Sequence, residues 1–168
     1  MEFRQAMTQT LAKMMQEDEK ICILDADLAK PNGTTPLYEQ FPNRCFDVGI
    51  AEANMIGIAA GLSAYGYKPI AFTFAPFATR RVCDQIAVSV AYAKQNVKIV
   101  GTDPGITAEL NGGTHMSFED VAVLRSIPNM IIYDAVDDIQ LSQAIEQIMK
   151  LDTPVYILSL IHISEPTR

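Results

Sequence analysis

The sequence predicts an α/β fold, a three-layer sandwich in which helices cover both faces of a mainly parallel sheet. Three observations predict it. Helical and extended signals alternate along the chain, and such alternation implies crossover units joining parallel strands. The clearest extended segment, Ile21-Cys22-Ile23-Leu24, is a continuous apolar run, as a strand buried on both faces requires. The polar residues that stand out follow the extended segments, where ligands collect in sheets of this kind.

The elements follow in order. Residues 3–17 carry Ala6, Met7, Leu11, Met14 and Met15 at helical spacing, which predicts an amphipathic helix. Residues 21–25 are a strand ending in a carboxylate, and 30–36, rich in Pro, Asn, Gly and Thr, read as a loop. A short helix over 37–41 leads to a strand at 44–48 and a helix beginning near Glu52. Residues 67–74 are extended, and 78–94 read as one helix with Arg80, Arg81 and Asp84 near its start. A strand at 97–101 precedes a long loop over 102–117. A short helix at 118–125, a strand at 130–133, a helix at 137–151 and a strand opening at 154–157 complete the series.

The chain of 168 residues is long enough for one domain with a real core and too short for two of ordinary size. Its net charge of −7 disfavours nucleic acid or an anionic membrane as the main partner. No apolar run reaches membrane-spanning length, and the first residues lack the form of a secretion signal, so a cytoplasmic protein is expected. Cys22, Cys45 and Cys83 are odd in number and sit among apolar neighbours; they read as reduced core residues without zinc or redox spacing. With only His115 and His162, the chain offers little scope for a metal site of its own.

The last eleven residues, 158–168, resemble the in-frame translation of a transposase-based sequencing adapter. The domain is therefore expected to span 1–157, with 158–168 a non-native tail and His162 without a role.

Glu52 is the most informative single residue. It is the only acidic or basic side chain between Asp47 and Lys68, at the start of a helix built of Ala, Gly, Ile, Met and Leu. Desolvation in such surroundings disfavours a charged carboxyl, and a carboxyl near neutrality can both give and take a proton. The plainer reading is a glutamate that favours the positive end of the helix dipole, and spacing alone prefers it. Other candidates are also ambiguous by themselves. Asp25 and Asp27 are placed to hold a metal or to cap the next turn, and the cap is the commoner use. Phe74 and Phe77 read as core or as a ligand wall. Gly112-Gly113-Thr114-His115 allows close backbone approach and offers a histidine donor. The sequence has no glycine-rich phosphate loop and no nucleophile elbow.

Together, several stretches resemble the pyrimidine-binding domain of the transketolase family. They are Leu24-Asp25-Ala26-Asp27-Leu28, Asp47-Val48-Gly49-Ile50-Ala51-Glu52-Ala53-Asn54-Met55, Thr73-Phe74-Ala75-Pro76-Phe77-Ala78, Gly112-Gly113-Thr114-His115 and Leu124-Arg125-Ser126-Ile127-Pro128-Asn129-Met130. The resemblance runs over 3–157 and is nearest to the C-terminal subunit of split bacterial transketolases, truncated here. It implies a thiamine diphosphate-binding pyrimidine-domain fold and ketol transfer between sugars. It implies Glu52 as the carboxyl that protonates N1′ of the cofactor's aminopyrimidine, and Phe74 and Phe77 as the wall on that ring. Asp27 is implied to lie near the cofactor, and His115 to bond a substrate hydroxyl.

Departures from the family are specific. Asn111 replaces an aspartate four residues before His115, and Met116 replaces a glutamine. Asp103 and Pro31 stand where a phosphate-binding histidine and a phosphate-contacting serine are common, and Arg80 stands where an aromatic is common. Asp103 would repel a phosphate, and Arg80 or Arg81 is a candidate for an alternative anion contact; Asn111, which can still accept a hydrogen bond, is a further candidate for substrate contact. The resemblance further implies a partner subunit that binds the diphosphate with Mg²⁺ or Ca²⁺, in a homodimer or heterotetramer; the fragment alone is expected to be inactive. The alternatives are a 1-deoxyxylulose-5-phosphate synthase-like domain or a non-catalytic assembly subunit of a thiamine diphosphate enzyme.

Overall fold

The computed structural model describes residues 3–159. Six strands form one all-parallel sheet: β1 (Ile21–Asp25), β2 (Cys45–Asp47), β3 (Lys68–Phe74), β4 (Lys98–Thr102), β5 (Ile131–Asp134) and β6 (Val155–Ser159). Their order is β2-β1-β3-β4-β6-β5. From β1 the chain steps outward to β2 and then crosses back to β3 on the other side. That reversal opens a crevice at the carboxyl ends of β1 and β3.

Strand alternation sends side chains into two cores. On one face Cys22, Leu24, Ile99 and Tyr156 meet Met55, Ile56, Val82, Ile86 and Leu124. These come from α4 (Glu52–Ala64), the segment 75–92 and α7 (Asp120–Arg125). On the other face Ile21, Ile23, Phe72, Val100 and Val155 meet α1 (Phe3–Glu17), α3 (Thr35–Gln40) and α8 (Asp138–Ile148) through Phe3, Leu11, Leu37, Leu141 and Ile145. The three expected layers are present. Asp137 caps α8, its side chain accepting from the Gln140 amide at 2.6 Å.

Two expectations need correction. The loop over 30–36 holds a helical turn, α2 (Ala29–Asn32), closed by Gly33 at φ 78°, and α3 begins at Thr35 with Pro36 in its first turn. A left-handed glycine after a turn and a proline opening the next helix punctuate two helical pieces. The single helix over 78–94 is instead α5 (Ala75–Ala78), a 3-10 turn (Arg80–Val82), α6 (Cys83–Gln85) and a π-helical stretch (Ile86–Tyr92). The break is at Thr79, whose backbone leaves the helical region at φ −128°, ψ −87°, and whose hydroxyl donates to the Ala75 carbonyl at 2.7 Å. Side-chain bonding to the preceding turn competes with the helix ladder in this way.

Leu158 and Ser159, the first residues of the expected tail, continue β6 and pair with Gly101 and Thr102; the rest of that tail, His162 included, lies outside the described residues. Gly101 is glycine for a packing reason, because a Cβ there would fall 2.2 Å from the Tyr156 hydroxyl oxygen. Cys22 and Cys45 are buried free thiols and Cys83 is a partly buried one. Burial pushes the first two up to about 12, which leaves them inert. No described helix is long and apolar enough to cross a membrane.

Candidate active site

The crevice gathers its side chains from three strand ends. After β2 the chain turns through Asp47, whose Oδ1 accepts the Asp27 amide at 3.0 Å and the Gly49 amide at 2.8 Å. Gly49 sits at φ 72° and Asp27 at φ 60°, so one carboxylate organises two left-handed turns at neighbouring strand ends. These turns set the first residue of α4, Glu52, which is 4 % exposed. Its Oε1 accepts from Arg81 Nη1 at 2.7 Å. The carboxyl expected to stand alone among apolar residues therefore has a cationic partner.

The opposite wall is aromatic. Phe74 ends β3 and is buried, while Phe77 is partly buried in α5. Their ring centres lie 6.2 Å apart. His115 meets both edge-on, 6.0 Å from Phe74 and 5.1 Å from Phe77. Edge-to-face rings at these separations are a favourable arrangement. The Arg81 guanidinium lies 3.7 Å from the centre of the Phe77 ring. Glu52, Arg81, Phe77, His115 and Phe74 thus form one contiguous chain of contacts.

His115 is held by its loop. Gly105 bridges to Ser117, its amide donating to the Ser117 carbonyl at 2.8 Å. Gly112, at φ 76°, accepts the His115 amide at 3.0 Å. The Thr114 hydroxyl contacts His115 Nδ1 at 2.9 Å, so Nε2 is the ring nitrogen left for a ligand. Arg80 donates to Glu119 Oε1 at 2.7 Å and to the Thr114 carbonyl at 3.1 Å. The Glu119 carboxyl is held below its usual range by the Phe118 backbone amide and by Arg80. Arg80, a candidate for substrate contact, is bonded in this way to the histidine loop. Asn111 lies exposed in the turn before His115, its amide donating to Ala108. Asp27 is exposed at its strand end.

Asp25 does not face the crevice as a free ligand. It is fully buried and accepts from Asn32 at 2.8 Å, Thr34 at 2.7 Å and Tyr38 at 3.3 Å. Asn32 in turn accepts from Thr102 at 2.9 Å. All three donors are side chains, and the turn that follows has no side-chain cap, so Asp25 ties the Asn32–Tyr38 segment to β1 where a cap was expected; burial pushes its carboxyl up to about 6 despite those bonds. Asp103, at φ 55°, pairs with Arg4 at 3.3 Å.

Sequence reasoning left Arg81 unassigned beside Glu52. The available signal was charge balance: a buried carboxylate needs a partner, and Arg81 lies four residues after Phe77.

The family profile described as transketolase, pyrimidine binding domain, matches residues 1–160. The chain belongs to this family. Among curated relatives of the transketolase pyrimidine-binding domain, it is 54% identical over 92% of its length to the 6-deoxy-6-sulfo-D-fructose transketolase subunit SqwH of Clostridium sp. strain MSTE9. It is 40% identical, over the same share, to a transketolase C-terminal section of Methanocaldococcus jannaschii. It covers 48% and 49% of those two proteins, so the chain spans about half the length of the curated relatives it matches. A solved structure described as a split-gene transketolase in an inactive β4 tetramer superposes with TM-score 0.87 and 38% identity, over 100% of this chain and 54% of that one.

Proposed function

We propose that this chain supplies the pyrimidine-binding half of a thiamine diphosphate-dependent transketolase that moves a two-carbon ketol unit between sugars. The observation that carries the reading is the facing pair of walls: buried Glu52 on one side, and Phe74, Phe77 and His115 on the other.

The residues fit the cofactor's aminopyrimidine. A flat, cationic, N–H-bearing group, the Arg81 guanidinium, already rests on Phe77 and donates to Glu52. The same two surfaces suit a flat nitrogen heterocycle. Thiamine diphosphate, when bound, supplies the nucleophilic thiazolium carbon that carries the two-carbon unit. Glu52 gives and takes the proton at N1′. Phe74 and Phe77 orient the ring and keep water from it. His115 donates to a sugar oxygen as charge develops there. The diphosphate, with Mg²⁺ or Ca²⁺, belongs to a partner subunit.

The donor we propose is a ketose ending in a sulfonate, supported by the identity to the sulfofructose transketolase subunit. A sulfonate carries one negative charge, whereas a phosphate monoester carries about −1.5 to −2 at neutral pH. Asp103 stands where a phosphate-binding histidine is common in the family, and with its carboxylate paired to Arg4 it brings no positive charge of its own to a dianion there.

The experiment is assembly with the diphosphate-binding subunit and an assay of ketol transfer, with and without thiamine diphosphate. Cofactor-dependent transfer, faster from 6-deoxy-6-sulfofructose than from fructose 6-phosphate, is expected. Preference for the phosphate ester would overturn the donor assignment, and absence of transfer from any ketose the function itself.

A further inference from the structure

We infer that Arg81 holds the place of the cofactor's aminopyrimidine in the free chain, so that the cofactor binds by displacing it. This rests on the thiamine diphosphate reading above and adds a competitor built into the site.

The geometry is specific. The guanidinium is planar and cationic, and it lies 3.7 Å from the centre of the Phe77 ring with Nη1 2.7 Å from Glu52 Oε1. It therefore uses both surfaces assigned to the ring: the aromatic face for stacking and the carboxylate for an N–H hydrogen bond. A second flat group cannot stack on that part of Phe77 while the guanidinium is there. Exposure separates the two partners. The Glu52 side chain is 5% exposed and the Arg81 side chain 44%. Glu52 is thus fixed in the wall, whereas Arg81 reaches it from the open side and can leave without opening the core.

Local structure explains how Arg81 gets there. It lies in the 3-10 turn Arg80–Val82, directly after the break at Thr79. Its neighbour Arg80 is held by Glu119 and Thr114. Two adjacent arginines therefore do different work: one fastens the histidine loop, the other covers the buried carboxylate. The cover matters because a buried carboxylate without a partner is costly. Cofactor binding becomes an exchange of one flat cationic partner of Glu52 for another. Breaking the Arg81 hydrogen bond and its stacking on Phe77 weakens the net affinity for the cofactor.

The test uses thiamine as probe, with the full chain and its Arg81→Gln and Arg81→Lys variants. In the wild type, the Arg81 Cδ protons are expected to be shifted upfield by the Phe77 ring in NMR spectra. Phe77→Leu should abolish that shift, and so should saturation with thiamine. By calorimetry, thiamine should bind Arg81→Gln about tenfold more tightly than wild type, the size of one charged hydrogen bond and its stacking. Arg81→Lys should fall between the two. If Arg81→Gln does not fold, Arg81→Lys and the wild-type NMR titration decide. Equal affinity in all folded forms, or an upfield shift that persists at saturation, overturns the displacement while leaving the cofactor reading intact. Failure of thiamine to bind any form overturns the displacement as well, while the cofactor reading is decided separately by ketol transfer in the assembled complex.

Discussion

The His115 imidazole stands edge-on to the Phe77 ring, their centres 5.1 Å apart and their planes at 70°. One phenyl ring therefore supports the His115 ring on its edge and the Arg81 guanidinium on its face. In the proposed function this ring couples cofactor orientation to substrate contact. Phe77→Leu in the assembled complex is expected to raise the thiamine diphosphate Kd about tenfold, because the flat aromatic face under the pyrimidine is removed. A cofactor titration followed by calorimetry checks it; unchanged affinity would remove Phe77 from the wall.

Arg80 and Glu119 form an exposed pair, with side chains 42% and 39% exposed. Such pairs contribute at most about 1 kcal/mol to stability, so Arg80→Ala is expected to leave the denaturation midpoint nearly unchanged. Its effect should be on the loop. The His115 amide, bonded to the Gly112 carbonyl at 3.0 Å, should exchange with deuterium several-fold faster when Arg80 no longer holds Thr114. Unchanged exchange would show that the loop does not depend on the clasp.

Gly101 faces a fixed obstacle. An alanine Cβ would meet the Tyr156 hydroxyl oxygen at 2.2 Å and the adjoining ring carbon at 2.8 Å. Tyr156 is fully buried between β4 and the helices of one face, and its hydroxyl donates to Asp120. The ring cannot swing away. Gly101→Ala is expected to cost roughly 1–3 kcal/mol or more by overpacking, read from urea denaturation. The double variant with Tyr156→Leu should recover part of it. No loss in the single variant would contradict the packing described.

Asp25 gives a pH signature. Its carboxyl is raised to about 6 from an ordinary 3.8 by burial. The folded state then keeps a proton that the unfolded chain has already released, so folded chains bind more protons between about pH 4 and 6. This contribution to stability is present in full below about pH 4 and lost as pH rises to about 6, by roughly 3 kcal/mol at most. Asp25→Asn should remove that slope. Denaturation midpoints of wild type and variant, compared from about pH 4 to 7, check it; parallel profiles would show that Asp25 does not titrate as described.

Much of the architecture was legible because it rests on periodicity. Phe3–Glu17 and Ile21–Asp25 match their predicted bounds, since a helical apolar stripe and a continuous apolar run each have one good solution. The helix over 78–94 failed because its apolar spacing does not encode the backbone departure at Thr79. The candidate site was legible to the extent that Glu52, Phe74, Phe77 and His115, singled out by type and order, lie together through Arg81 and the ring contacts. Arg81 was hidden because a long flexible side chain reaches its partner through space, Nη1 meeting a carboxylate 29 positions away. The role of Arg80 was hidden similarly, because Glu119 lies 39 positions away in sequence.

Everything proposed for this site turns on Glu52 moving the N1′ proton of a bound aminopyrimidine. Glu52→Gln in the assembled complex is the decisive variant, because the amide keeps the shape and a hydrogen bond but cannot supply that proton. Ketol transfer at saturating thiamine diphosphate is expected to fall about 10²- to 10⁴-fold, the usual weight of a positioned acid–base group, with the complex still assembled. Transfer at the wild-type rate would contradict the proton relay and leave the chain an assembly subunit that keeps the fold without the chemistry.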